Sequence, residues 1–236
     1  EGKDYGVAWT CDVARFWTTN CDYNFYAVVD ADRVNAENGV PKTIEYTALG
    51  NNDLLYGATV KTTRTNLAQP DVPLVAFTMQ HLLSKISFKF ENPAANGDYS
   101  YNVTGVTVNG AYASGVYTIA HADTNIDGEY DGSWVGTDAM ATPLSFGAVS
   151  GTLKSGTQGA AANSCVIIPG NPALTINVVV ETVFGGKVIN TKTHTLTVTD
   201  KTFAKNTHYN FAVTLPTAGT PISFTIDTVD NFGGSA

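Results

Sequence analysis

Hydrophobic and polar positions alternate through most of this chain. In "FTMQHLLSKISFKF", residues 77–90, Leu82, Ile86, Phe88 and Phe90 share one parity, while Lys85, Ser87 and Lys89 take the other. Period two marks a strand with one buried face. Before His81 the phase is reversed, because Phe77, Met79 and Leu83 are odd-numbered. A slip of one residue sends every side chain to the opposite face. Two structures would produce this pattern. One is a bulge over Gln80–Leu83 that lets a single strand serve both sheets of a sandwich. The other is a strand covered on both faces. A second phase change falls in "YSYNVTGVTVNGAY", from Tyr99, Tyr101 and Val103 to Val106 and Val108. Gly105 sits at that change and predicts a bulge there.

Further alternating runs extend the pattern. "YNFYAVV" (23–29) precedes a polar loop, "DADRVNAENG", and "TIEYTAL" (43–49) leads into "NNDLLYGATV". The second half holds "SCVIIPG", "ALTINVVVETVF", "GGKVINTKTHTLTV", "HYNFAVTL" and "PISFTI", with "FGGK" reading as a hairpin turn. Between the halves, residues 123–163 are polar, rich in Gly and Ala, and irregular. An amphipathic helix of three turns does not stand out. The expected fold is all-β, in two tandem β-sandwich domains, residues 1–136 and 137–236.

Composition narrows the function. With 236 residues and 43% apolar content, the chain can bury a substantial core. The net charge is −8 and the arginines are three, Arg15, Arg33 and Arg64. Binding a phosphate backbone needs clustered Lys and Arg, so nucleic acid is not an expected partner. A basic patch for an anionic membrane is disfavoured for the same reason. Apolar runs stay short of the 18 or so residues a spanning helix needs. The opening "EGKDYG" is polar, which fits either a cytosolic chain or one whose leader has been removed. Cys11, Cys21 and Cys165 have neither metal spacing nor a Cys-x-x-Cys pattern. Cys11 and Cys21 are close enough in sequence for a local bridge, but an odd count argues against a disulfide framework.

Candidate chemistry is sparse. His81, His121, His194 and His208 have no histidine at metal-ligand spacing, and a lone strand histidine is expected to be a hydrogen-bonded structural residue. The sequence contains neither G-x-S-x-G nor a glycine-rich phosphate loop ahead of a helix. "DTNIDGEYDGSW" (123–134) is sharper, reading D-x-N-x-D-G like the first half of a calcium loop. Asp123, Asn125 and Asp127 would supply oxygens, Gly128 the turn and Glu129 its carbonyl, with Asp131 at the ninth position. The twelfth position is Trp134 rather than a bidentate glutamate. The competing reading is an Asx-turn-rich linker with its acids in water. Calcium is the one candidate cofactor.

"DLLYG" (53–57), "VPLVAFTMQHLLSKISFKFEN" (72–92) and "YNVTGVTVNGAYASGVY" together resemble the fimbrillin family of Bacteroidia. His81, Leu83, Ser84 and Lys85 match its His-x-Leu-Ser-Lys-like motif. "CVIIPGNPALTINVVV" resembles its Ile-Pro strand pair, and "FAKNTHYNFAVTL" with "ISFTI" its closing strands. The resemblance spans residues 50–232. It implies two transthyretin-like sandwiches, export as a lipoprotein precursor with a lipid anchor, and location in a fimbrium at the outer membrane. It implies a non-enzymatic subunit or adhesin with other fimbrial subunits, and a host or bacterial surface ligand, as partners. It also implies assembly by strand donation, in which an arginine-directed protease first removes an N-terminal strand. On that reading "YNFYAVV" is the strand removed and Arg33 the processing site, with Arg15 in "VARFW" the more apolar alternative. Ile222, Phe224 and Ile226 would be the donor-strand residues, unless 221–226 simply completes its own domain. The competing function is a surface carbohydrate-binding module, for which eleven tyrosines and three tryptophans offer stacking platforms.

Overall fold

The computed structural model describes residues 22–48, 52–62, 75–120, 131–217 and 221–229. Along the chain run β1 (Asp22–Val29), β2 (Arg33–Glu37), β3 (Val40–Thr47), β4 (Leu55–Thr62), β5 (Gln80–His81), β6 (Ser84–Asn92), β7 (Ser100–Asn109) and β8 (Tyr112–Ile119). Then come β9 (Gly132–Ala139), β10 (Leu144–Gly147), β11 (Thr157–Ala160), β12 (Cys165–Ile167), β13 (Leu174–Phe184), β14 (Lys187–Val198), β15 (Thr207–Thr214) and β16 (Ser223–Val229). The described helical structure is one 3-10 turn, Ala94–Asn96. The all-β expectation holds.

Among the described residues, four sheets enclose two hydrophobic cores. Sheets β1-β4-β5 and β2-β3-β8-β9 supply the first, built on Ile44, Tyr46, Leu54, Tyr56, Leu82, Leu83, Tyr117 and Ile119. Sheets β10-β7-β13-β14 and β11-β6-β15-β16 supply the second, with β12 also on β6. At its centre Phe88 meets Phe146 edge-on at 4.7 Å and stacks on Phe211 at 5.0 Å. Each core fills the space between two pleated faces, which is how period-two strands bury one side.

The cores do not divide the chain at residue 136. Ile86, Phe88 and Phe90 on β6, and Val103, Val106 and Val108 on β7, lie before that position yet belong to the second core. The chain then returns through β8 and β9 to the first core's sheet before β10 enters the second. The contiguous boundary is therefore corrected to an interleaved one. Sequence order misleads here because β6 pairs in parallel with β15, from Ser84↔Thr207 to Glu91↔Thr214, across more than 120 residues.

This interleaving explains the phase reversal. Strand structure stops at Leu82 and Leu83, which are both fully buried in the first core, and resumes at Ser84. From Ile86 onward the buried side chains enter the second core. The slip is a crossing between two cores rather than a bulge serving two sheets of one. The other phase change is a true bulge. Val179 pairs with Gly105 and Val180 with Val103, so Thr104 is the extra residue that lets Val103 and Val106 both point inward.

Two stretches read as irregular contain strands. The "DADRVNAENG" loop holds β2 and a two-residue turn, Asn38 and Gly39, at φ of 51° and 80°. Positive φ at both positions is the primed hairpin geometry, which Asn-Gly adopts readily. The polar region 123–163 contains β9, β10 and β11. The expected "FGGK" hairpin is present, with Gly185 and Gly186 at φ of 57° and 77°.

Candidate functional site

The motifs behind the family resemblance meet at the crossing. Leu55 pairs with His81 and Tyr56 with Gln80, so "DLLYG" and the His-x-Leu-Ser-Lys stretch lie side by side. The Asp53 carboxylate takes the Nδ1 side of the His81 ring. Burial raises the Asp53 pKa above the ordinary carboxylate value, against the lowering effect of the His81 hydrogen bond. Leu83 fills the first core, and the fully buried Ser84 donates its hydroxyl to Ala204 O at 2.7 Å. Asn206 N donates to Leu83 O at 2.9 Å. Tyr46, pushed up to about 12 chiefly by burial, donates its hydroxyl to Asn52 O. Together these residues fix the passage from one core to the other.

Among the described residues, strand β1 lies at one edge of its sheet and pairs with β4, from Asp22↔Thr62 to Val29↔Leu55. None of its side chains is fully buried, and Tyr26 and Val28 rest partly covered against the first core. Arg33 does not sit in a loop. It opens β2, opposite Glu45, with its guanidinium 4.0 Å from the Glu45 carboxylate and most of its side chain in solvent. The loop between β1 and β2 is only residues 30–32, because the polar sequence after it still satisfies a ladder on an exposed edge. Ile222 is buried, and Phe224 and Ile226 pack partly covered on the second core. Phe224 and Ile226 belong to β16, which pairs with β15 from Ser223↔Thr214 to Val229↔His208, and Ile222 directly precedes that strand. In this structure the candidate donor segment completes its own sheet.

The candidate calcium residues Asp123, Asn125 and Asp127 lie outside the described residues. Asp131 is exposed, and its carbonyl accepts a hydrogen bond from Ala120 N at 2.8 Å. Trp134, at the loop's twelfth position, donates Nε1–H to Leu82 O at 2.8 Å and lies against the Tyr117 ring. Among the described residues, no group of three His, Cys, Asp or Glu is placed to hold a metal ion. Cys11 and Cys21 also fall outside them, and Cys165 is a buried free thiol. No described helix is long and apolar enough to cross a membrane.

One cluster has no signature in the local sequence pattern. On the outer face of β6 and β15, Ser87 Oγ lies 2.7 Å from His208 Nε2 and donates to Asn210 Oδ1 at 3.0 Å. Its partners stand more than 120 positions apart, so only the parallel β6–β15 register reveals it. The hydroxyl has one proton and it goes to Asn210, so His208 acts as the donor to Ser87. A nucleophilic serine needs the reverse, with its proton held by the histidine base.

Burial pushes His208 and His194 down from the ordinary 6.5, with Lys85 and Lys192 adding to the effect. A base whose folded pKa is depressed binds protons more readily when unfolded. Its stabilising contribution is complete above 6.5 and is lost as pH falls through that value toward the folded one. The raised Asp53 has the opposite sign, and its contribution is lost as pH rises from the unfolded carboxylate range. The expected result is a melting temperature that falls between pH 7.5 and 5.5 (roughly the range bracketing histidine titration). In His194→Gln/His208→Gln that fall should be smaller. Scanning calorimetry showing the same slope in the parent and the double variant would contradict this assignment.

Comparison with known proteins places this geometry. No curated protein matches the chain. A solved fimbrial protein from Bacteroides vulgatus is similar in fold, with a TM-score of 0.57 at 17% identity over 88% of this chain and 77% of that one. A candidate cell adhesion protein from Bacteroides uniformis gives 0.51 at 14% identity, covering 88% and 73%. Another from Bacteroides fragilis gives 0.51 at 12%, covering 100% and 73%. The family model described as fimbrillin-like matches residues 3–228, nearly the whole sequence, and the chain belongs to that fimbrillin-like family.

Proposed function

We propose that this chain is a non-enzymatic subunit of a surface fimbrium, or a fimbrillin-like adhesin, which joins its neighbours by strand replacement. The observation that carries this reading is the character of β1. Among the described residues it is an edge strand with β4 as its one strand neighbour, and its side chains are at most partly buried. Its loss would free the β4 edge and uncover the Tyr26 and Val28 positions over the first core. Alternate side chains filling such positions, with main-chain bonds along the edge, is how an added strand binds. Family membership and the likeness to a fimbrial protein support the same role. Export as a lipid-anchored precursor and residence at the outer membrane belong to this proposal.

Arg33 is the processing site on this reading. Its exposed side chain suits a protease, but β2 must first peel from β3 because Arg33 is held in that ladder. The donor is the segment 221–226 of a neighbouring copy, which carries Ile222, Phe224 and Ile226 and runs into β16. It must leave its own ladder with β15, where Phe224 stacks on Phe211 at 6.2 Å. Limited trypsin digestion followed by size analysis tests both steps. Cleavage at Arg33 should convert monomer to larger species, and Phe224→Asp should prevent the conversion. Cut protein that stays monomeric, or assembly that survives Phe224→Asp, sinks the mechanism. The candidate calcium loop is tested separately: bound calcium would raise the melting temperature through linkage, and Asp127→Ala would abolish the rise.

A further inference from the structure

Strand β6 changes partners halfway along its outer edge. β11 covers it from Lys89 to Asn92 and β12 from Ser84 to Ile86. Between them residues 161–164 bow away, with Ala161 N still donating to Phe88 O at 3.0 Å. The opening is a groove of about 440 Å³ over the outer face of β6 and β15. Among the described residues, its polar groups are Ser87, His208, Asn210, Lys85, Lys89, Asn163 and Ser164, and neither Asp nor Glu lines it. That composition is unusual in a chain of net charge −8.

The hydrogen bonds show what the groove offers. Ser87 has its one proton committed to Asn210 and accepts from His208, so it has no donor left to offer. With its oxygen engaged, Asn210 presents its NH₂ as a donor. Lys85 and Lys89 flank Ser87 on the same face, each about 7 Å away along the strand. Lys85 also feels the Asp53 carboxylate, and Lys89 has Glu91 two positions along the same face, where Glu91 accepts from Gln158 Nε2 at 3.3 Å outside the groove. The available groups are therefore donors and positive charge, which call for an acceptor-rich anion. Phe88 forms no stacking floor, being 1% exposed. The apolar part of the wall is the small methyl surface of Ala160, Ala161 and Ala162.

We propose that this groove binds an acidic sugar residue, with its carboxylate or sulfate on Lys89 and Asn210 and its ring against the alanine wall. A compact anion fits the charge, and a sugar's C–H face suits the alanine wall where an aromatic ligand would find no ring to stack on. The site is complete in one copy, so it is independent of strand replacement and can be tested on the uncut monomer.

The experiment follows the His208 ring resonances by NMR during titration with glucuronate, glucose 6-sulfate, glucose and inorganic sulfate. Glucuronate and glucose 6-sulfate should give a saturable shift, glucose none, and inorganic sulfate a weaker one. Lys89→Gln, at an exposed position, should weaken glucuronate binding about tenfold through loss of one charge-assisted hydrogen bond. Lys154→Gln, at the far end of the second core, should leave it unchanged. A thermal melt of each variant confirms that it is folded. The proposal is overturned if glucose shifts His208 as glucuronate does, if the two lysine variants weaken binding equally, or if glucuronate causes no shift. Inorganic sulfate binding as tightly as glucuronate overturns the sugar assignment, because the groove would then read charge alone.

Discussion

Residues 137–236, produced on their own, are expected not to fold. That segment keeps β10 to β16 but loses β6 and β7, and with them the middle of each sheet around the second core. β15 would retain β16 and lose β6, while β13 would retain β14 and lose β7. Ile86, Phe88, Phe90, Tyr101, Val103, Val106 and Val108 would leave the core, each now at most 6% exposed. At about 1.5–3 kcal/mol per large apolar side chain, their absence removes roughly 10–20 kcal/mol of burial. A domain's whole margin is typically about 5–15 kcal/mol. The fragment should give a non-cooperative urea profile and poorly dispersed NMR resonances. A sharp, cooperative transition would show that the second core forms without its N-terminal strands. In the full chain, Phe88→Ala should by itself cost about 3–5 kcal/mol, because three rings pack directly on it and a cavity remains.

The reason that boundary was illegible lies in what sequence pattern encodes. Alternation reports that a strand buries one face, and it located β1, β3, β6, β7, β13, β15 and β16 well. It does not report which core receives that face. The phase slip at Leu82–Leu83 was visible, but a bulge, a doubly covered strand and a crossing between cores all break parity in the same way. Weakly apolar edge strands were missed for a related reason. "RVNAE" has almost no buried position, so β2 carries no alternation, although the Asn38-Gly39 turn after it was a readable signal. Threonine-rich β14 was legible because its hairpin turn and its long partner β13 framed it.

The candidate sites divide along the same line. The family motifs were recognisable as words, yet their physical meaning appears only when Asp53 meets His81 and Leu55 pairs with it. The Ser87–His208–Asn210 cluster needed the parallel β6–β15 register, which no local spacing encodes. Arg33 was visible as an isolated cation near an N-terminal strand, but its place in a ladder depends on Glu45 and β3. Local chemistry survives in sequence, whereas long-range pairing, which creates both the groove and the crossing, does not.

Trp134 is expected to hold the crossing in place, and its removal should be among the most damaging single changes in the first core. Where the chain leaves that core it has no strand partner, so its backbone groups need individual ones. Leu82 N donates to Leu54 O at 2.9 Å, and Leu82 O receives the Trp134 indole N–H at 2.8 Å. The ring itself lies 5.4 Å from Tyr117 and 6.4 Å from Tyr46, centroid to centroid, covering both. Two contributions can therefore be separated. Trp134→Phe keeps an aromatic ring but leaves the Leu82 carbonyl without that donor, which should cost about 1–3 kcal/mol. Trp134→Ala removes the ring as well and should cost about 3–5 kcal/mol. Urea denaturation of both variants measures the difference. Because Leu82 and Leu83 precede Ser84 directly, loosening the crossing should also weaken the Ser84 and Asn206 bonds that tie β6 to the segment before β15. Amide exchange at Asn206 should then speed up in Trp134→Phe, while exchange at Val178, in the middle of β13, follows global stability alone. Equal stability of Trp134→Phe and the parent, with unchanged exchange at Asn206, would show that the indole bond contributes nothing to the passage between the two cores.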